Sequence, residues 1–391
     1  MQAFQAGQFQ RLPGQHFSAG YSQSVFWLWW QPKTAPPAGA GQFYLNLDYP
    51  LLQSALFYGV TFADVTAASR VQLLGQTGSK LPASSRSVYS TSHYFALPPD
   101  SAKLSGYLIR IESQTSLSVP ISLVSESEFI AEQRNSHLWY GFIIGTLTLL
   151  IFYNLFVACS IREAANAIYL LFLAALLFVF VSVSGIASTY ISAKLGGELL
   201  WLLPCTLHLV SISSYLFAKQ YFQHSLLPAA FQRILQIGSW LSAALLLTVW
   251  LDYQVAMMLA MLNALLMVLL LFVLAGVAFA HKVTGAPLFF LGKVFLLAGG
   301  FIQFAKTVAL IPATGLTEYI LFLGVILEAI VLSGGLALRT RTLEQEQAQT
   351  RAELLNIQQT SLQELTNLSS FGKRGARKNS KRGHSKGVIQ H

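Results

Sequence analysis

The chain has 391 residues, of which 54% are hydrophobic and only 10% charged. About a quarter of the residues in a soluble globular protein are charged, so this composition excludes an ordinary soluble enzyme and indicates a membrane protein. The net charge of +9 does not mark a nucleic-acid-binding domain: residues 1–137 carry eight Lys/Arg against seven Asp/Glu, residues 138–338 seven against five, and residues 339–391 ten against four.

Residues 1–137 read as one all-β module. Val25, Trp27 and Trp29 alternate with Phe26, Leu28 and Trp30, residues 43–48 alternate in the same way, and Leu117, Val119, Ile121 and Leu123 alternate with Ser and Pro. A period of two is the mark of a strand with one buried face. Further strand-like runs near 55–60, 68–75, 87–97 and 104–112, parted by Pro, Gly and Ser/Asp clusters, predict an antiparallel, jelly-roll-like sandwich of about eight strands. The module has no cysteine and so no disulfide, since Cys159 and Cys205 both fall in later apolar runs. Met1–Gly20 lacks the basic and apolar regions of a secretory leader, and we expect such a leader upstream of this sequence.

Seven apolar runs follow, at about 138–160, 166–189, 198–218, 234–251, 255–280, 287–311 and 318–338. Each is long enough to cross a hydrocarbon core of about 30 Å as a helix. Loops on one side carry Arg162, Lys219, Arg233, Lys282, Arg339 and Arg341, whereas the other side carries Lys194 beside Asp252 and Glu318. The positive-inside rule then predicts a cytoplasmic C-terminus and an outside module at 1–137.

Residues 339–370 predict a cytoplasmic signalling helix rich in Glu, Gln, Ala and Leu. Ala348, Leu355 and Leu362 recur every seven residues, with Gln358 and Leu365 at the other seam position, which predicts a short coiled coil and a homodimer through 343–368; the alternative is a solvated amphipathic helix. Residues 371–391, with seven basic residues and no acid, are expected to be disordered. About 50 residues after the last span are too few for a catalytic fold, so no enzyme activity is expected.

Several residues are candidates for chemistry. Aromatic rings match the apolar faces of sugars, and strand alternation must bury about half of those present. Val25 with Trp27 is read as core and Phe26 with Trp30 as outer face. Trp29, Trp30, Tyr44, Arg86 and Arg110 are the candidate contacts to a small-molecule or carbohydrate ligand; Arg110 could instead pair with Glu112. In the membrane, Glu328 lies at the middle of the seventh span, where a carboxylate must be paired, neutral or wetted. Lys293 and Lys306 each lie within roughly 8 Å of its depth by helical rise. Either lysine could pair with Glu328, or both could reach the headgroups while Glu328 bonds Gln303 or Asn263. Asn154 and His208 are candidates for the same polar network or for ordinary packing. No lysine in the seventh span means no retinal-type pump, Ser182 stands where a serine-protease motif around Ser184-Gly185 needs glycine, and no repeat symmetry suggests a transporter. No metal, cofactor or nucleic acid is expected; membrane lipids and a separate cytoplasmic signalling protein are the expected partners.

The segment LWYGFIIGTLTLLIFYNLFVACSIREAANAIYLLF, with Tyr140, Gly141, Tyr153, Asn154, Arg162 and Tyr169, and the segments LGKVF, IPATGLTEY and LGVILEAIVLSGGLALRTR, with Gly292, Gly315, Glu328, Ser333 and Arg339, resemble the bacterial seven-transmembrane receptors with diverse intracellular signalling modules. VFWLWW, FYLNLDYP, SSRSVYSTSHYFALP and YLIRIES resemble the successive strands of that family's second type of extracellular sensor domain. The resemblance covers about residues 8–345 and implies a signal-transduction receptor of a bacterial inner membrane, with residues 1–137 as a periplasmic sensor and the C-terminus in the cytoplasm. Arg86 and Arg110 match family positions, whereas Trp29 stands where the family usually has a basic residue. Members normally continue into a histidine kinase, diguanylate cyclase or phosphatase domain, so a truncated receptor is the alternative.

Overall fold

Eight strands pair into two antiparallel four-stranded sheets: β1 (His16–Tyr21), β8 (Ser116–Ser125), β3 (Phe43–Leu47) and β6 (His93–Ala96) in that order, and β2 (Phe26–Trp30), β7 (Gly106–Glu112), β4 (Ser54–Thr61) and β5 (Arg70–Thr77) in that order. The computed structural model describes residues 9–12, 16–22, 24–32, 41–61, 70–99, 104–113, 116–161, 163–191, 198–223, 228–250, 252–307, 310–311 and 315–384. Strand β1 is not among the runs expected from the sequence, although Phe17 and Ala19 alternate with His16 and Ser18 and face the core; the alternation is short and ends at Gly20, where the pairing with β8 shifts register.

The sandwich core is built from both inner faces and includes Leu45, Leu47, Ala55, Phe57, Phe95, Ile109 and Ile111, all fully buried. Phe57 lies between Phe95 of the other sheet (ring centroids 4.9 Å apart) and Tyr107 of its own (5.0 Å), so one stack joins the two layers. The expected core face of β2 is inverted. Phe26, Leu28 and Trp30 stand opposite Ile111, Ile109 and Tyr107 and pack into the core, whereas Trp27 stands opposite Arg110 and is 43% exposed. The alternation in β2 fits either face; the neighbouring β7, with Arg110 and Glu112 on one face and only apolar residues on the other, decides it.

Ser125 ends β8 and caps α1 (Glu126–Ser160) without a linker. Its hydroxyl accepts from the Glu128 amide at 3.3 Å, and its own amide donates to the Glu128 carboxylate at 2.8 Å. A reciprocal cap of this kind contributes about 1 kcal/mol. The first helix therefore starts about three turns before the expected span.

The other helices are α2 (Ala164–Val183), α3 (Glu198–Tyr221), α4 (Ala229–Leu245), α5 (Tyr253–Ala280), α6 (Ala286–Thr307) and α7 (Gly315–His384). Among the described residues, seven candidate spans lie on these helices, the fourth continuing through a 3-10 turn to Trp250, each long and apolar enough to cross a membrane. Large apolar side chains such as Phe152, Phe156, Trp240, Leu265 and Phe301 are exposed, as lipid-facing residues are. The second span ends at Val183, earlier than expected, because Gly185 turns the chain at φ +78° into a π-helical turn, Ala187–Ile191.

The chain divides into two compact units, Met1–Ser333 and Gly334–His391. Helix α7 runs on to His384, through residues expected to be disordered. The segment has no proline, and its Lys, Arg and Ala residues favour helix enough to offset Gly372, Gly375 and Gly383.

Candidate functional site

The two sheets differ in what covers them. The outer face of β2-β7-β4-β5 is open: Trp27 lies 6.0 Å from the Tyr58 ring at an interplanar angle of 34°, and Leu73 is also exposed. Arg110, opposite Trp27 in the register, donates to Glu112 at 2.9 Å, and Lys80 lies 3.8 Å from the same carboxylate. Trp29 is half-buried and lies against Gly106, where a Cβ would approach its ring to 2.3 Å. Trp27, Tyr58, Arg110 and Glu112 thus offer flat rings next to charged hydrogen-bonding groups. Tyr58 had no signal of its own; the pairing of β4 with β7 brings it there.

The opposite outer face is covered by α1. Tyr44 stacks on Phe129 at 4.6 Å, and Tyr94 meets Phe129 edge-on at 4.9 Å while donating to Glu132 at 3.0 Å. Burial, then the Glu132 charge, raises the Tyr94 phenol above its ordinary range. Tyr44 is therefore engaged in packing on the first helix, and Trp30, tilted against Tyr107 at 5.3 Å, in the core.

Arg86 is buried where the sandwich meets the bundle. Its guanidinium donates to the main-chain carbonyls of Ser188 (3.0 Å), Ser90 (3.4 Å) and Leu81 (3.4 Å) and to the Thr189 hydroxyl (3.2 Å). Desolvation lowers its pKa. Around it, Thr189 donates to the Ser90 carbonyl, Tyr89 to the Thr189 carbonyl and Gln133 to the Ser90 hydroxyl. Gly185 packs so closely that a Cβ would stand 2.3 Å from the Thr91 carbonyl oxygen. Leu51 of the sandwich clusters with Leu203 and Met257 of α3 and α5. The neighbouring His93, bonded to Thr77 at 2.9 Å, is held neutral down to about 3 by burial and by the Arg86 charge.

Inside the bundle, Lys293 of α6 pairs with Glu328 of α7; both side chains are buried, and the ammonium lies 5.4 Å from the Phe289 ring centroid. The side chain of Lys306 lies outside the described residues. Asn154 donates to Leu150 and to Ser333, Ser333 donates to Tyr169, and Tyr169 donates to the Ala329 carbonyl at 2.7 Å, linking α1, α2 and α7. His208 belongs to a separate chain, with Asn263 at 3.3 Å and Ser242 bonded to Asn263 at 3.2 Å. Asn154 and His208 are therefore not joined to Glu328 by these bonds. Among the described residues, no group of three or more His, Cys, Asp or Glu could hold a metal.

Residues 136–339 match the model of the 7TM diverse intracellular signalling family, and residues 1–125 match that of its extracellular domain 2. No curated protein matches the chain.

Proposed function

Because the chain belongs to the 7TM diverse intracellular signalling family, a receptor type with an extracellular sensor, we propose that it reports a small periplasmic ligand of the carbohydrate class bound on the open face of the sandwich. The observation that carries the reading is the exposed Trp27–Tyr58 pair beside Arg110 and Glu112. Two rings at a shallow angle fit the apolar face of a pyranose, and the ion pair supplies acceptors and donors for its hydroxyls. Tyr44, Arg86 and Trp30 then serve packing and not the ligand.

In this reading the sensor lies in the periplasm and the C-terminal helix in the cytoplasm of a bacterial inner membrane, an orientation that the excess of Lys/Arg in the loops on one side supports. Output passes through that helix. Leu355 and Leu362 are each about 60% exposed in a single chain, and a second copy packing along Ala348, Leu355 and Leu362 covers them. A cytoplasmic signalling protein reads the paired helices.

The test is titration of the full chain in lipid nanodiscs with a panel of neutral and acidic oligosaccharides, followed by calorimetry. We expect at least one saturable ligand, with affinity lowered about tenfold or more by Trp27→Ala and left within twofold by Tyr44→Phe. No saturable saccharide, or equal losses from both variants, overturns the carbohydrate reading.

A further inference from the structure

Among the described residues the sandwich meets the bundle through α1, which continues from β8, through Leu51, which packs with Leu203 of α3 and Met257 of α5, and through Arg86, which reaches the turn after α2. We propose that Arg86 is a positioning residue that couples the sandwich to the outer end of α2, giving ligand-driven motion a second route into the membrane besides α1. The proposal rests on the receptor reading above for the ligand, but the coupling itself has its own test.

The acceptors of Arg86 belong to two bodies. The carbonyls of Leu81 and Ser90 are on its own loop, whereas the Ser188 carbonyl and Thr189 hydroxyl are on the turn between α2 and α3. A planar guanidinium with several fixed donors can satisfy both sides at once only in one arrangement. Among the described residues it forms no ion pair, and these dipoles are the groups that solvate its charge there. Separating the two bodies removes part of its solvation, which makes the docked and undocked arrangements discrete states. The turn it grips is π-helical, a form that inserts an extra residue per turn and is common where a helix does functional work. Gly185 leaves no slack on the bundle side, since the Thr91 carbonyl occupies the space of a Cβ.

From that turn, contacts lead to the seventh span. Phe180 near the outer end of α2 meets Phe322 of α7 edge-on at 4.7 Å, and Tyr140 lies 6.0 Å from Phe180 and 5.9 Å from Tyr319. The α1 route reaches the same place, because Trp139 stacks on Tyr319 at 5.2 Å and Tyr319 donates to Ser136. The two routes therefore converge on the outer end of α7, where a difference in their positions becomes a tilt of that helix.

The experiment is amide hydrogen exchange on the full chain in nanodiscs, comparing wild type with Arg86→Met, Arg86→Lys and Gly185→Ala. Arg86→Met should raise exchange about tenfold in residues 87–92 and 185–191 and also in residues 315–326, while β4 and β7 keep their protection. Gly185→Ala should give the same pattern from the bundle side, and Arg86→Lys, which keeps the charge but not the fork, should lie between. An opened seam with residues 315–326 unchanged overturns the coupling. So does general loss of protection in the sandwich with Gly185→Ala silent, which would make Arg86 a folding residue only. Absence of saccharide binding in the wild type would sink the ligand reading and leave this result standing.

Discussion

The sandwich and the bundle place their ion pairs in opposite ways. In the sandwich the core cluster is apolar and the ion pairs lie on the surface, Arg110 and Glu112 keeping 25% and 34% of their side chains exposed. In the bundle many large apolar residues are exposed, and the charged pair Lys293–Glu328 is inside, each side chain 3% exposed. The solvent explains the difference: strand alternation in water turns polar groups outward, whereas hydrocarbon cannot satisfy them and leaves the helix interfaces as their place. The same residue types therefore stabilise little in one region and fix helix contacts in the other.

The contrast is tested most strongly at Glu328. Neutralising it as Glu328→Gln leaves the Lys293 ammonium buried without its counter-charge, and we expect a loss of about 3–5 kcal/mol. Ser333→Ala, which removes the two neutral bonds that Ser333 makes in the Asn154–Ser333–Tyr169 chain, should cost only about 1 kcal/mol. Reversible unfolding in mixed micelles measures both; equal losses would mean that the pair is no more important than a neutral contact.

A middle-sized effect is expected from His93. Its imidazole remains neutral to about pH 3 when folded, whereas an unfolded histidine takes its proton near 6.5. The unfolded chain thus binds more protons as pH falls through this window, so the contribution is complete above about 6.5 and is lost progressively toward 3. At pH 5 the loss is about 2 kcal/mol. Thermal unfolding of the sandwich at pH 7.5 and 5 should show it, and His93→Gln should remove the difference; a slope that survives the substitution assigns it to another group.

The smallest effect belongs to the sandwich surface. Glu112→Gln should change stability by less than about 1 kcal/mol, because Arg110 and Lys80 are screened by water there. A loss as large as that of Glu328→Gln would end the distinction between the two regions.

The spans were legible because about 20 consecutive apolar residues have few other uses. The sandwich was legible as a class, but not in its details. Alternation in VFWLWW is symmetric and fits either face; only the charged register of β7 puts Trp27 outside and Trp30 against the core. Glu328 announced its need for a partner, but helical rise left Lys293 and Lys306 equivalent, since depth says nothing about which face of α6 a residue occupies. Arg86 was visible as a charged residue in a polar loop. That its partners are the carbonyl and hydroxyl of residues about a hundred positions later is a property of docking, for which sequence carries no period.

The junction at Ser125, where strand becomes capped helix with no intervening residue, sets a phase relation between the sandwich and the first span. Each residue of an α-helix turns its axis by about 100°, so one residue inserted after Glu128 would rotate every lipid-facing side chain of α1 by more than a quarter turn relative to β8. Four inserted residues would restore the azimuth to within about 40° and lift the sandwich by about 6 Å. Length in this segment is thus an angular variable, and chains differing there by single residues would present the same sensor to the bundle in different orientations.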